Sequence, residues 1–236
     1  MNRNLICTTA NLALELMLKG MKGIGLVIAV MLTVVIGVLV IQPSTWQPSA
    51  SLRWGVDVGD EFAYRVVVIG HRVVQDPLNQ SNVTYGPSFY APMNNTVVRA
   101  AVADLPALAA WYSSSSFANE VISQTKVNCT FENGTPIQEE FRSVIAAIVS
   151  NCILPVGDWP FLDSLFSDSP TDAFFTGYLS RAHTNCFSIS HRAWFVDGLF
   201  LWTGNVSLTV GMPMIAEDMT DTPSTGAYDL IRLVLL

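Results

Sequence analysis

The chain has 236 residues, and its 19 acidic and 12 basic side chains give a formal net charge of −7. Beyond Pro43 the excess of acid is larger, because 18 acidic and nine basic residues there give a balance of −9. Nucleic acid is not an expected partner, since neutralising phosphates needs clustered lysine and arginine, and Lys126 is the one lysine in that part of the sequence.

An uncharged run of 19 residues, Gly23 to Ile41, lies near the N-terminus, and 13 of its residues are Leu, Ile or Val. At about 1.5 Å per residue, a helix of this length reaches about 28 Å, close to the roughly 30 Å hydrocarbon thickness of a bilayer. Arg3, Lys19 and Lys22 precede the run, whereas the first cation after it is Arg53. The positive-inside tendency therefore predicts a single-pass anchor with its N-terminus in the cytoplasm.

This interpretation divides the chain into four parts. We expect a short cytoplasmic N-terminus at residues 1–22, a transmembrane helix in the lipid bilayer at residues 23–41, a stalk at residues 42–52 and an extracellular α+β domain at residues 53–236. A cleaved signal peptide is the alternative, with Pro48-Ser49-Ala50 as its cleavage site. The apolar run is longer than the roughly 7 to 15 residues usual for a signal, which favours a retained anchor. Translation could start at Met1 or Met21.

Six Asn-x-Ser/Thr triplets follow the apolar run, with acceptors at Asn79, Asn82, Asn94, Asn128, Asn133 and Asn205. Ten asparagines lie beyond Ile41 and Ser plus Thr make up 37 of 236 residues, so chance would give about 1.6 triplets. Because these triplets acquire sugar only on the translocated side, their excess supports an extracellular, N-glycosylated domain. Polar loops rich in Asn and Ser are the alternative explanation.

Hydrophobic periodicity predicts both strands and helices in the outer domain. In chain order, strands are expected at Tyr64–Val74, Thr96–Val102, Lys126–Glu132, Phe187–Val196, Leu199–Trp202, Asn205–Val210 and Tyr228–Leu236, and exposed loops at Asp76–Thr96 and Glu217–Asp221. Asp197-Gly198 is typical of a tight hairpin turn.

Two helices are predicted between these strands. Thr135-Pro136-Ile137-Gln138 combines an N-cap residue, a first-turn proline and a glutamine at N3, so a helix should run from there to about Cys152. Its apolar stripe should dock on the sheet. Ser169 is a candidate N-cap for a second helix through about Leu179. The predicted fold class is α+β: an N-terminal transmembrane helix followed by one extracellular domain with an antiparallel β-sheet and two or three packed helices.

Three cysteines, Cys129, Cys152 and Cys186, belong to the predicted outer domain, while Cys7 should face the reducing side. An odd set permits one bridge and one free thiol, and we expect Cys129 to pair with Cys152 because both lie on predicted apolar faces. Three reduced, buried cysteines are the alternative.

The sequence contains no complete motif of a known catalytic or metal site; residues 123–126 match Ser-x-x-Lys, but the partner motifs of that site are lacking. Gly-x-Ser-x-Gly, His-Glu-x-x-His, paired Cys-x-x-Cys and Gly-rich phosphate loops are all absent, so no cofactor or metal is expected. Asp57, Asp60 and Glu61 form the tightest carboxylate group, and they are expected to form a turn before a strand.

Trp194 and Trp202 lie on either side of the predicted hairpin turn, and exposed aromatic rings stack well on sugars or apolar peptides. We therefore expect them to be candidate ligand-stacking residues for a glycan or protein ligand at the cell surface. Packing of both rings in the core is the alternative.

Two short motifs carry a resemblance. Residues 54–64, read as Trp-Gly-Val-Asp-Val-Gly-Asp-Glu-Phe-Ala-Tyr, and Leu154-Pro155-Val156-Gly157-Asp158-Trp159 resemble motifs of uncharacterised archaeal membrane-anchored surface proteins. The resemblance implies an N-terminal anchor and a glycosylated outer domain, and it implies no activity.

The sequence thus favours a surface binding or interaction module. The alternative is an extracellular hydrolase whose active site is assembled from residues that are distant in sequence.

Overall fold

The structure is a computed structural model, and it describes residues 47–48, 51–75, 83–166, 175–196, 198–223 and 225–236. The predicted cytoplasmic segment and transmembrane helix lie outside the described residues, as do the sequons at Asn79 and Asn82. Within the described ranges, no helix combines the length and apolar character needed to cross a bilayer. The anchor at residues 23–41 therefore stays a prediction.

Antiparallel strands make up most of the domain. They are β1 (Gln47–Pro48), β2 (Glu61–Gln75), β3 (Val83–Pro87), β4 (Val97–Asp104), β5 (Trp111–Tyr112), β6 (Lys126–Phe131), β7 (Gly177–Ala182), β8 (Cys186–Phe195), β9 (Gly198–Ser207), β10 (Pro213–Thr222) and β11 (Ala227–Leu235). The helices are α1 (Ser114–Phe117), which continues as a π-helical turn over Ala118–Ile122, α2 (Glu139–Ser150) and α3 (Trp159–Leu165), with a 3₁₀ turn at Ala91–Met93.

Nine of the strands form one sheet in the order β6-β4-β2-β11-β10-β9-β8-β7, with β3 added on β2. Strands β7 to β11 are sequential antiparallel neighbours, and β11 then pairs with β2, the first long strand. β2 is long enough to pair with β4 through its first half and with β3 through its last residues. β1 and β5 form a separate two-stranded ladder.

Side chains alternate between two faces of this sheet, and one of them, here called the inner face, carries the core. Val66, Ala100, Phe187, Val206 and Leu233 point to the inner face and are fully buried. The apolar stripe of α2 also belongs to this core, with Phe141, Ile145, Ile148 and Val149 buried. α2 contacts β6 and β10, and α3 contacts β7. The helices therefore pack against the inner face.

The fold class is confirmed at the level of an α+β domain built on an antiparallel sheet. The strands predicted around β2, β4, β6, β8 and β11 are all present, and the two predicted segments at Leu199–Trp202 and Asn205–Val210 form one strand, β9. The hairpin between β8 and β9 is also present. Phe195 pairs with Gly198, so Gly198 belongs to β9 and the turn begins one residue earlier than predicted.

Three predicted elements need correction. The segment Glu217–Asp221 is part of β10 and not a loop. The predicted helix through Leu179 is wrong at its described end, because Gly177–Ala182 is strand β7, while residues 167–174 lie outside the described residues. The predicted loop Asp76–Thr96 contains strand β3, and its residues 76–82 lie outside the described residues.

Helix starts were also misplaced. α2 begins at Glu139 rather than near Thr135, because Pro136 forms a bridge with Thr130 and so continues the β-structure past the predicted cap. α3 was missed altogether, although the Asp158 side chain accepts a hydrogen bond from the Phe161 N–H and a proline stands in its first turn.

The predicted stalk, residues 42–52, overlaps the folded unit, which begins at Gln47. Gln47 and Pro48 pair with Tyr112 and Trp111. Arg53 forms a bridge with Val156, next to Gly157, where a Cβ atom would lie 2.2 Å from the Ser51 carbonyl oxygen. The second motif of the archaeal resemblance, which contains Val156, therefore pairs with the residue just before the first motif, and both motifs belong to the folded unit.

Candidate ligand site on the inner face of the sheet

Beyond the row of Ala216 and Leu233, the inner face carries a group of polar and aromatic side chains that we call the acid–aromatic cluster. Its members are Tyr90, Tyr178, His191, Trp202, Asp218 and Asp229. Cross-strand pairing places them side by side: Tyr178 lies opposite His191, His191 opposite Trp202, and Trp202 opposite Asp218. Directly opposed residues point to the same face of a sheet, so these four side chains form one row.

Asp229 belongs to the next row toward the ends of the strands. It lies opposite Thr220 on one side and opposite Gly70 on the other. Asp218 pairs with Ile231 on the neighbouring strand, so the two aspartates are diagonal neighbours on the same face. Residues in this relation have Cα atoms about 7–8 Å apart. Phe200, opposite Thr220, extends the same row.

The aromatic part of the cluster is closely packed. The rings of His191 and Trp202 are stacked, with centroids 6.1 Å apart and planes 17° apart, and Tyr178 contacts both rings in edge-on geometry. Trp202 is 4% exposed and belongs to the core, whereas Tyr178 and His191 are half-buried. Burial raises the pKa of Tyr178 and lowers the pKa of His191, because it disfavours the charged form of each. His191 is therefore neutral at physiological pH.

The two aspartates are among three residues in the described ranges that have a buried side-chain atom without a hydrogen-bond partner; the third is Arg192, on the outer face of β8. Each aspartate has one buried carboxylate oxygen, Oδ1, that accepts no hydrogen bond from the described residues. Neither belongs to any of the three ion pairs found there, which join Arg99 to Glu61, Arg142 to Glu139 and Arg232 to Glu217. Leaving such a group unpaired costs free energy, so unsatisfied carboxylates require a physical explanation.

Electrostatics links the aspartates to Tyr90. Burial raises the pKa of Asp218 to about 6. The pKa of Tyr90 is raised first by burial and then by the negative charges of Asp218 and Asp229. Tyr90 lies in the segment between β3 and β4. Its ring contacts those of Phe89 and Phe141, with centroid distances of 5.2 and 6.1 Å.

A glycine lies opposite Asp229 on β2, in close contact with the backbone of β11. Gly70 has a φ of +145°, and a Cβ atom there would lie 2.1 Å from the Tyr228 carbonyl oxygen. A side chain at position 70 is therefore excluded by the backbone of the neighbouring strand. The position on β2 opposite Asp229 has no side chain that could cover the carboxylate, and Thr220 on its other side is exposed.

The predicted stacking residues are not brought together. Trp194 is 38% exposed and pairs with Leu199, three residues along β8 from His191, so it points to the outer face. Trp202 points to the inner face and is buried. The two rings cannot form a single ligand-binding surface. Trp202 has the role of a packed support for the cluster, and ligand stacking on Trp194 stays a prediction.

The predicted disulfide is not formed. Cys129, Cys152 and Cys186 are all free thiols. Cys129 lies on β6, whereas Cys152 follows the far end of α2 and its Sγ lies 3.7 Å from the Thr203 carbonyl oxygen on β9, five strand positions away in the sheet. Burial raises the pKa of Cys129 to about 12 and also raises the pKa of Cys152, so both thiols are packed in the core as unreactive groups.

The four sequon asparagines in the described ranges, Asn94, Asn128, Asn133 and Asn205, have exposed side chains. Asn94 Oδ1 accepts a hydrogen bond from the Val68 N–H at 3.0 Å, and Asn205 Oδ1 accepts one from Ser188 Oγ at 2.8 Å. In both cases the oxygen makes the internal bond, and the amide nitrogen, which would carry the sugar, does not take part in it.

The carboxylates singled out from the sequence have a structural role. The Asp57 N–H donates to Asp60 Oδ2 at 2.9 Å, which closes the expected turn, and Glu61 pairs with Arg99. The three histidines do not converge, and the described ranges contain no group of three or more metal-ligating side chains.

Comparison of the chain with protein-family models, curated proteins and solved structures gave no match. The archaeal resemblance therefore stays a prediction.

Sequence reasoning missed the two most informative residues. Asp218 was assigned to an exposed loop, and Asp229 was treated as an ordinary strand residue. Residues 216–220 show no alternation of apolar and polar side chains, so no local signal predicted a strand that places Asp218 on the same face as Ala216.

Proposed function

We propose that this chain is a single-pass, membrane-anchored and N-glycosylated cell-surface protein whose folded domain binds a ligand at the acid–aromatic cluster. The anchor and orientation are supported by the apolar run Gly23 to Ile41, by the cations before it and by the sequons after it. The exposure of all four described sequon asparagines agrees with an outward-facing domain.

The observation that carries the binding function is the pair of buried, unpartnered carboxylate oxygens on Asp218 and Asp229. A domain that used this surface only for folding would be more stable with apolar or amide side chains at these positions. Ligand sites are the places where such unfavourable groups are tolerated, because the bound molecule supplies the missing partner.

Location is tested by adding a protease to intact cells that express the full chain with a C-terminal tag. The tag should be removed from the outside, and enzymatic deglycosylation should lower the apparent mass. If the tag is protected until the membrane is permeabilised, the proposed orientation is wrong.

Ligand binding is tested with the full chain in lipid nanodiscs. Ligand libraries of glycans, peptides and small amines are screened against the natural chain and the Asp229→Asn variant. The natural chain should bind at least one class, and Asp229→Asn should weaken that binding at least tenfold. Asp221→Asn is the matched control. Asp221 lies on the outer face of β10, so this substitution removes an equal charge at a distance from the cluster. Equal losses in the two variants would contradict a site on the inner face.

A second candidate function, an extracellular hydrolase, is favoured by one observation. Asp218, with a pKa raised to about 6, lies diagonal to a second carboxylate, and glycoside hydrolysis uses a protonated and an ionised carboxyl group on either side of the scissile bond. In this scheme Asp218 donates its proton to the leaving oxygen and Asp229 acts as base or nucleophile. Release of reducing sugar by the natural chain, and its loss in both Asp218→Ala and Asp229→Ala, would support hydrolysis over binding.

A further inference from the structure

We propose that a groove on the outer face of β7, β8 and β9 binds the first sugars of the glycan attached to Asn205. This inference rests on the proposed function, because it requires N-glycosylation at Asn205. It adds a carbohydrate-binding surface on the face of the sheet opposite the acid–aromatic cluster.

The groove follows β8, whose outward side chains there are short serines, and its walls are longer side chains of β7 and β9. The outward-facing lining residues form two cross-strand rows, with Leu179, Ser190 and Thr203 in one and Arg181, Ser188 and Asn205 in the other. Two strand spacings separate the walls by about 9–10 Å. The groove has a volume of about 260 Å³. The serines therefore form the floor of a trough between two rows of larger side chains.

The attachment point of the glycan lies on one wall of this groove. Asn205 is exposed, and the Ser188 hydroxyl donates a hydrogen bond to its Oδ1 at 2.8 Å. This bond uses the oxygen of the amide group and not Nδ2, the atom to which the sugar is joined. Because Asn205 and Ser188 lie directly opposite each other, the glycan starts one strand spacing from the serine floor.

The groove offers the contacts that a sugar ring uses. Ser190 is half-buried, and its hydroxyl has no hydrogen-bond partner in the part of the chain that the structure describes. Arg181 is exposed and belongs to none of the three ion pairs found there. Sugar hydroxyls both donate and accept hydrogen bonds, so they can pair with the serine oxygen and with the guanidinium group. Leu179 adds an apolar wall for the C–H surface of the ring.

The size of the groove favours an attached ligand over a free one. Sites that enclose a free small molecule have volumes of about 300–1,000 Å³, and this groove is smaller. Its few contacts give a free sugar little affinity. An attached sugar needs less affinity, because a short flexible link raises its effective concentration to about the millimolar range. The Asn205 glycan is therefore the occupant that we assign to the groove.

The experiment compares two glycans of the same chain. The full chain is produced in a eukaryotic host that adds oligomannose glycans, and the folded protein in nanodiscs is treated with an endoglycosidase that cleaves the glycan core. Glycopeptide mass spectrometry measures the cleavage rate at Asn205 and at Asn128, which also points outward from a strand. Each rate is divided by the rate at the same site in unfolded protein. Cleavage should be at least tenfold slower at Asn205 than at Asn128, because a bound core is protected from the enzyme.

Variants of the groove distinguish protection by binding from simple crowding by the sheet. Ser190→Leu fills the floor and should raise the cleavage rate at Asn205 at least fivefold, with no change at Asn128. Ser190→Ala is the matched control: it removes only the hydroxyl and leaves the groove open, so its effect should be smaller. Arg181→Ala removes a hydrogen-bond donor at an exposed position and should raise the rate at Asn205 roughly two- to tenfold.

Thermal unfolding shows whether each variant is folded, and Arg181→Ala decides the outcome if Ser190→Leu is not. Two results would overturn the inference. The first is an unchanged cleavage rate at Asn205 when the groove is filled or the arginine is removed. The second is absence of a glycan at Asn205 in protein that carries one at Asn128. Either result leaves the proposed glycosylated surface domain intact, whereas absence of sugar from all six sequons would contradict that proposal itself.

Discussion

The two ends of the inner face are built from the same strands but have opposite chemistry. On β10 and β11, Ala216 and Leu233 are fully buried in the core shared with α2. Two positions further along the same face, Asp218 is half-buried and its Oδ1 accepts no hydrogen bond, although Trp202 and Ile231 beside it are buried. We call the part of this face around Ala216 and Leu233 the covered end, and the part from Asp218 to Asp229 the open end. The alternation of a strand places both kinds of residue on one face, so the two ends differ in the polarity and the burial of their side chains. The covered end holds the fold together, and the open end carries groups that a folded protein would otherwise avoid.

The largest change in the free energy of unfolding is expected at the covered end. Ile145 on α2 is 1% exposed, and Ile145→Ala should lower the free energy of unfolding by about 2–5 kcal/mol, because it removes buried methyl groups and leaves a cavity. Ile69→Ala is the matched control, since Ile69 is 48% exposed on the outer face and should cost less than about 1 kcal/mol. Urea unfolding measures both. Similar losses would mean that α2 is not docked on the sheet as described.

The second largest effect is a gain in stability, and it is expected from a substitution at the open end. Burial raises the pKa of Asp218 from 3.8 to about 6, so the folded state binds this proton more tightly than the unfolded state does. The carboxyl group therefore lowers stability progressively as the pH rises from about 4 to about 6, and the full penalty is present above that range. Asp218→Asn should raise the free energy of unfolding by roughly 1–3 kcal/mol at pH 7.5.

The pH dependence sharpens this prediction. At pH 3, below both pKa values, the natural carboxyl group is mostly protonated in the folded and the unfolded state, so the natural chain and Asp218→Asn should have nearly equal stability. Asp221→Asn on the outer face should give no comparable gain at either pH. Denaturant unfolding at the two pH values, with unglycosylated protein, makes the measurement. A loss of stability at pH 7.5 would show that Asp218 has a partner that stabilises its charge.

The sequence predicted the covered end of the inner face better than the open end. α2 was recognisable because Phe141, Ile145 and Ile148 repeat at helical spacing, and this spacing is a local property of the chain. The long strands were recognisable for a similar reason, since runs rich in β-branched and aromatic residues are local signals. Local patterns were enough to predict an α+β domain with an antiparallel sheet.

The open end could not be predicted in this way, because its identity depends on pairing between distant strands. The charged residues Glu217, Asp218 and Asp221 resemble a loop when read alone. They form a strand because β9 and β11 pair with both edges of β10, which supplies backbone hydrogen bonds that outweigh low strand propensity. The predicted disulfide failed for the same reason: periodicity identified two apolar cysteines, but the sheet order separates their strands.

A third prediction concerns the segment between β3 and β4, which carries Tyr90. Asn94 Oδ1 accepts a hydrogen bond from the Val68 N–H, just where β2 is free between its pairings with β4 and β3. Asn94→Ala should lower the free energy of unfolding by about 0.5–1.5 kcal/mol in unglycosylated protein. Asn94→Asp keeps the acceptor and should stay within about 0.5 kcal/mol of the natural chain. Both substitutions remove the sequon. A change in the free energy of unfolding that both variants show in glycosylated protein, but not in unglycosylated protein, is therefore due to loss of the sugar.

The smallest effect is expected on the outer face of β10 and β11. The charged side chains there form an ion pair, whereas Asp218 on the inner face belongs to none of the three ion pairs in the described ranges. Arg232 pairs with Glu217, which also accepts a hydrogen bond from Thr203 Oγ1 at 3.2 Å. The Arg232 side chain is 42% exposed, so solvent weakens the attraction, and Arg232→Met should change the free energy of unfolding by less than about 1 kcal/mol. Urea unfolding of this variant, beside Asp218→Asn, compares paired and unpaired charges on opposite faces of the same two strands. If the loss from Arg232→Met exceeds the gain from Asp218→Asn, the outer pair is the stronger electrostatic feature. The open end would then owe its aspartates to the fold rather than to a ligand.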